Sequence, residues 1–140
     1  MLMADGTEYF GQFRNGLPHG EGVLSLADGS LHYKGQFVKG VPEGEGKISG
    51  ADGTIYQGKV ANGVPHGHGT MNFADGRSQQ GLYQNGHMTG KGAVVFPDGT
   101  EYRGLFEKGL PNGVGTLWRP DGQKITGLWL NGKIVSSQEE

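Results

Sequence analysis

The 140-residue chain has no cysteine, which removes any disulfide framework and any thiolate zinc site. No apolar run in it approaches the ~18 residues of a membrane-spanning helix. No asparagine opens an Asn-x-Ser/Thr sequon. The opening MLMA is too short for a signal peptide and lacks the basic start of one. Secretion therefore has no support, and a cytoplasmic protein is expected. There is no excess of positive charge either. Twelve Lys and Arg against 14 Asp and Glu leave a net charge of −2, so nothing favours nucleic acid or a strongly anionic membrane as partner. Apolar residues make up only 34%, low for a layered globule. No stretch carries the period of an amphipathic helix.

Glycine, by contrast, is abundant, with 29 residues. Disordered chains combine such bias with few aromatics; this one has six Phe, five Tyr and two Trp, which points to an ordered architecture that demands glycine. The spacing supports this. Asp-Gly recurs at Asp5, Asp28, Asp52, Asp75, Asp98 and Asp121, in steps of 23 or 24 residues. Counting each unit from its Asp as position 1, glycine falls at positions 2, 7, 12, 16 and 18, and only Gly50 is off this lattice. The units are 5–27, 28–51, 52–74, 75–97, 98–120 and a partial 121–134, with 135–140 as a C-terminal tail. The second unit has one extra residue between Gly29 and Tyr33, expected to form a bulge.

Three further columns are apolar or aromatic. Position 5 holds Tyr9, Tyr33, Tyr56, Gln79, Tyr102 and Ile125. Position 9 holds Phe13, Phe37, Val60, Tyr83, Phe106 and Trp129. Position 20 holds Leu24, Ile48, Met71, Val94 and Leu117. Positions 5, 7 and 9 alternate, so they share one face of a strand; positions 18 and 20 do the same on the next. Each unit reads as a strand over positions 4–10, a turn with Asn/Lys-Gly and proline, a strand over 17–23, and an Asp-Gly turn. Asn and Gly tolerate the positive φ that tight hairpins need. Glycine inside a strand normally weakens it. Its regular use at positions 7 and 18 suggests that a ring from position 5 or 9 lies across the bare backbone.

The segments YFGQFRNGLPHGEGVL, YQGKVANGVPHGHGTM and YRGLFEKGLPNGVGTL resemble MORN repeats, whose pattern is Tyr-x-Gly-x-aromatic, a Gly turn, His/Asn-Gly-x-Gly and an aliphatic residue. The fourth unit departs from it, with Gln79 for Tyr, Met88 for Pro and Thr89 for His; the second has Glu43 for His. The resemblance implies an all-β fold: a single continuous twisted antiparallel sheet of stacked hairpins, an elongated rod or trough without helix. A lone unit has too few apolar side chains to fold, so stacking must stabilise it. Five hairpins and one further strand predict 11 strands, a rod of about 50 Å.

The stretch NGVPHGHG, residues 62–69, invites a metal or phosphate reading. His66 stands at position 15, which elsewhere holds His19, Glu43, Thr89 and Asn112. Thr and Asn do not suit a repeated metal site, but all five can brace backbone in a turn. His68 is expected on the exposed face. A zinc site needs three or four ligands, and no metal or other cofactor is called for. The nearest approach to a phosphate loop, GHMTGK at 86–91, has the wrong spacing. The carboxylates are mostly turn aspartates, and no nucleophile motif occurs. The chain is read as non-catalytic.

The aromatic columns leave an interaction surface as the expected function. A one-layer sheet has only itself to cover its rings, so some of them should line an open groove. The candidate partner-binding residues are Tyr9, Phe13, Tyr33, Phe37, Tyr56, Tyr83, Tyr102, Phe106, Trp118 and Trp129. Trp118 and Phe10 lie on the opposite face by parity. The resemblance implies a scaffold or adaptor that binds a partner peptide or helix, cytoplasmic and adjacent to cytoskeleton or membrane. MORN proteins include protozoan cytoskeletal scaffolds, radial-spoke components and adaptors for class III myosin. The family also offers an alternative, a phospholipid-associating module as in junctophilins, or an accessory domain of a methyltransferase or lipid kinase. Balanced charge in every unit argues for weak or no phospholipid binding. Open sheet edges at the two ends predict a segment of a longer array, or a homodimer through terminal strands.

Overall fold

The computed structural model describes residues 2 and 5–139, with side chains described to residue 137. These residues form no helix. Twelve strands follow one another: β1 (Glu8–Arg14), β2 (Leu17–Ser25), β3 (Leu31–Val38), β4 (Val41–Gly50), β5 (Ile55–Ala61) and β6 (Val64–Asn72). The second half adds β7 (Ser78–Gln84), β8 (His87–Val95), β9 (Glu101–Glu107), β10 (Leu110–Trp118), β11 (Lys124–Leu130) and β12 (Lys133–Glu139). Each pairs antiparallel with its neighbours in sequence, making one open sheet in the order β1 to β12. The all-β meander of stacked hairpins is thus as expected.

Three details differ. First, there are twelve strands, not eleven. The segment set aside as a tail continues the sheet as β12, after an Asn131-Gly132 turn of the same kind as the others. Second, the later strand of each hairpin starts four residues earlier than expected. Asn15 and Gly16, at φ of 53° and 78°, make the whole turn. Both central residues of such a tight hairpin turn need positive φ, which Asn and Gly supply. Proline then lies inside the strand, with Pro18 opposite Phe13. Proline has no N–H to give the ladder and is tolerated beside the bulge; its carbonyl still bonds, Pro18 O accepting from Gly40 N–H of the next unit at 2.8 Å. The same bond recurs from Gly63 to Pro42, Gly86 to Pro65, Gly109 to Met88 and Gly132 to Pro111. Third, the extra residue of the second unit lengthens its turn rather than bulging a strand. Leu26 N–H reaches Leu31 O across five residues, where Phe73 N–H reaches Arg77 O across four. The bulges lie elsewhere, inside every hairpin. Gly11 faces Gly22 but Phe13 faces Pro18, which leaves two extra residues on β2.

The aspartate turns hold as read. Asp5, Asp28, Asp52, Asp75, Asp98 and Asp121 each accept, through Oδ1, the N–H two residues on, at 2.8–3.0 Å. Those bonds to Thr7, Ser30, Thr54, Arg77 and Thr100 hold the first five carboxyls below their usual range.

Candidate functional site

The two faces of the sheet differ, and the glycine pairs are the reason. Gly11 and Gly22 stand opposite each other, as do Gly35 and Gly46, Gly58 and Gly69, and Gly104 and Gly115. A Cβ on Gly22 would run into the ring of Tyr9, and one on Gly69 into Tyr56. Each tyrosine lies across its glycine pair and donates its hydroxyl to the position 8 carbonyl. Tyr9 bonds Gln12 O at 2.6 Å, Tyr33 bonds Gln36 O at 2.8 Å, Tyr56 bonds Lys59 O at 2.6 Å and Tyr102 bonds Leu105 O at 3.0 Å. The position 9 ring of the following unit then packs edge-on. Tyr9 meets Phe37 at 4.9 Å between centroids, Tyr56 meets Tyr83 at 5.1 Å and Tyr102 meets Trp129 at 5.1 Å.

The outcome for the candidate residues is therefore mixed. Tyr9, Phe37, Tyr33, Tyr56, Tyr83, Tyr102, Phe106 and Trp129 are all buried. They form the core rather than the lining of an open groove, contrary to expectation, although Tyr83 borders a small cleft beside Met88. A single-layer sheet covers its own rings because each ring lies against bare backbone and beneath a ring of the next unit. Phe13 is half exposed, since no ring of a preceding unit receives it. Trp118 is partly buried, and Phe10 stands 65% exposed on the opposite face. Burial pushes the phenols of Tyr33 and Tyr56 up to about 12, the carboxylates of Glu21 and Glu45 adding respectively.

The open surface is the other face, which carries positions 6, 8, 17 and 19. Here clefts follow one another along the array, floored by glycine backbone. One of about 360 Å³ runs over Gly58, Gly69 and Gly81, with Glu45 and His68 among its walls. A larger one of about 700 Å³ runs over Gly92 and Gly104, between Lys91, Arg103, Leu105 and Val114. A third of about 480 Å³ continues past Val114 to Leu128 and Ser136. Gln80 borders the first two and Val114 the last two, so they form one trough.

The walls of this trough change character along its length. Position 17 of each unit faces position 8 of the next, on the same side of the sheet. The pairs are Glu21–Gln36, Glu45–Lys59, His68–Leu82, Lys91–Leu105 and Val114–Leu128. The series runs from polar to apolar. The register between successive hairpins, which carries no bulge, is what sets these columns opposite each other. A sequence signal for it existed: position 8 switches from Gln12, Gln36 and Lys59 to Leu82, Leu105 and Leu128.

The fourth unit shows a second local feature. Gln79 replaces the tyrosine, and Met88, where proline stands elsewhere, fills the vacated space. Its Sδ would lie 3.1 Å from a Cβ on Gly81, and its Cε 3.0 Å from one on Gly92. Met88 is buried accordingly. Beside it the hydroxyl of Tyr83 is buried with no hydrogen-bond partner. A cleft of about 270 Å³ opens here among Met71, Phe73, Gln79, Tyr83 and Met88.

NGVPHGHG lies in the β5–β6 turn and β6 rather than in a loop. His66 Nδ1 accepts Asn85 N–H of the next turn at 3.4 Å. His19, Glu43 and Asn112 make the equivalent bond to Lys39, Asn62 and Asn131 at 3.1–3.4 Å. Position 15 thus braces the turn of the following unit. His68 is exposed in the trough opposite Leu82.

Comparison with known proteins agrees with the repeat. The family model described as MORN repeat matches residues 9–31, 33–55, 56–76, 80–101 and 102–124. No curated protein matches the sequence. Among solved structures, the TCP10 domain of Danio rerio CPAP, in complex with a peptide of Danio rerio STIL, is similar at 17% identity and a TM-score of 0.52. The match covers 94% of this chain and 59% of that one. The SAS-4 (dCPAP) TCP domain of Drosophila melanogaster, in complex with a proline-rich motif of Ana2, shares 16% identity over 100% of this chain and 87% of that one, at a TM-score of 0.43. At these identities the likeness to the zebrafish domain concerns the fold, and this chain spans under two thirds of it.

Proposed function

Because the chain belongs to the MORN-repeat family, with five repeats in succession, we propose that it is a non-catalytic protein-interaction scaffold that seats a segment of a partner protein in the glycine-floored trough. The observation that carries this reading is the asymmetry of the sheet. One face is closed by its own buried rings. The other leaves a continuous trough with exposed Leu105, Val114 and Leu128 along one end. Exposed aliphatic side chains in a row on a concave surface are characteristic of a docking site. The zebrafish CPAP domain, of similar fold, holds a peptide, which supports the reading without identifying the partner. A cytoplasmic, cytoskeleton-adjacent setting belongs to the same proposal.

The test is site-specific photocrosslinking in cells. A photoreactive residue at Val114 is expected to trap a discrete protein, while one at exposed Leu110, outside the trough lining, traps none. Equal capture at both positions would sink the trough as the site. Sedimentation with phosphoinositide vesicles provides the contrasting arm, in which strong, salt-sensitive binding would favour a membrane module instead.

A further inference from the structure

Building on the trough reading above, we propose that the C-terminal half of the trough recognises a partner segment that presents an aliphatic side chain flanked by carboxylates. The first ground is that the leucines there lack a hydrogen bond that two of their counterparts make. Gln12 and Gln36, at position 8 of the first two units, turn their side-chain carbonyls onto the bulge. They accept Glu21 N–H and Glu45 N–H at 2.9 Å. Leu82, Leu105 and Leu128 occupy the same position and cannot make that bond, yet the hairpins of Leu82 and Leu105 form the same two-residue register shift and that of Leu128 a one-residue shift. They remain between 37% and 46% exposed, and Val114 beside them is 58% exposed. A row of half-exposed aliphatics gains free energy when a partner covers it.

The second ground is charge. In the first two units position 17 carries Glu21 and Glu45; in the fourth and fifth it carries Lys91 and Val114. The large cleft thus has Lys91 and Arg103 at its border and no carboxylate among its lining residues. Arg103 reaches one carboxylate, Glu101, through Nη2 at 2.9 Å, and its side chain stays 62% exposed. Lys91 has no ion pair among the described residues. Two cations around an apolar floor complement a segment with the opposite arrangement: an aliphatic residue for Leu105 and Val114, with Asp or Glu on its flanks. A basic segment would meet like charge there. The reach is short. An extended chain rising ~3.3 Å per residue crosses the strands from β8 to β11, spaced ~4.8 Å apart, in about four or five residues.

A displayed library of random 12-residue peptides, panned on the intact chain with counter-selection against Val114→Glu, tests this. Val114 is exposed, so the variant should fold, which circular dichroism verifies. Enrichment of variant-sensitive peptides with Leu, Ile or Val between Asp or Glu is the expected result. The selected peptides should bind Lys91→Glu at least about tenfold more weakly, about 1.4 kcal/mol. Peptides whose acidic residues are exchanged for Lys should regain affinity for Lys91→Glu. Variant-sensitive peptides that are basic or uncharged would overturn the specificity and leave the trough as a docking site. Enrichment with no sensitivity to Val114→Glu would overturn the trough reading and this inference with it.

Discussion

The third and fourth units fold to the same hairpin with different residues over the glycine pair. In the third, Tyr56 lies across Gly58 and Gly69, fixed by its bond to Lys59 O. In the fourth, Gln79 withdraws and Met88 reaches in from the neighbouring strand to cover Gly81 and Gly92. What the array requires is a filled space above the bare backbone, since a void there forfeits packing. The tyrosine is one way to fill it, and methionine, unbranched and adaptable, is another.

Emptying the space is expected to have the largest effect. Met88→Ala should destabilise by about 2–5 kcal/mol, while Pro65→Ala, at the same position of the third unit, should cost less than about 1 kcal/mol. Urea unfolding of both variants decides it; equal losses would show that Met88 does not replace the ring. Crowding the space comes next. Gly69→Ala drives a Cβ deep into the fixed Tyr56 ring and should cost about 3 kcal/mol, whereas Gly92→Ala meets a methionine that can shift and the Gln80 carbonyl only at 3.1 Å, and should cost nearer 1 kcal/mol. Thermal melts of the pair would break the comparison if the order reversed.

Removing single hydroxyls should move stability in opposite directions. Tyr56→Phe loses a hydrogen bond and should cost about 1 kcal/mol; Tyr83→Phe removes a buried hydroxyl without a partner and should gain about as much. The mildest test is alkaline titration. The folded phenols of Tyr33 and Tyr56 sit at about 12, above the ordinary 10.0. Their contribution is therefore complete below pH 10 and is lost as pH rises through 12. Tyr56→Phe should reduce the loss of stability over that window, and an unchanged slope would remove Tyr56 as its source.

The strand order, the presence of Asn-Gly and Lys-Gly in the hairpin turns, the aspartate turns and the ring-over-glycine packing were legible in the repeat, whereas the two-residue length of the hairpin turns was not. Each depends on residues within one unit, at spacings that a period of two or a tight turn imposes. The burial of Tyr9 or Tyr102 was not, because the covering ring belongs to the next unit. The strand at 133–139 was also missed. It lacks the glycine lattice, and the Ile125 opposite it has no ring that would require glycines there. The apolar end of the trough was half visible in the leucines at position 8, but their partners at position 17 belong to the preceding unit and are assigned only by the register between hairpins.

The sequence by itself determined that this chain is a stacked all-β array, because glycine, aspartate and tyrosine columns at a fixed period leave one local geometry for each unit. Only the tertiary structure decided which face is closed and which is open. That outcome depends on contacts between successive units, where rings of one cover rings of another and leave the opposite side to solvent.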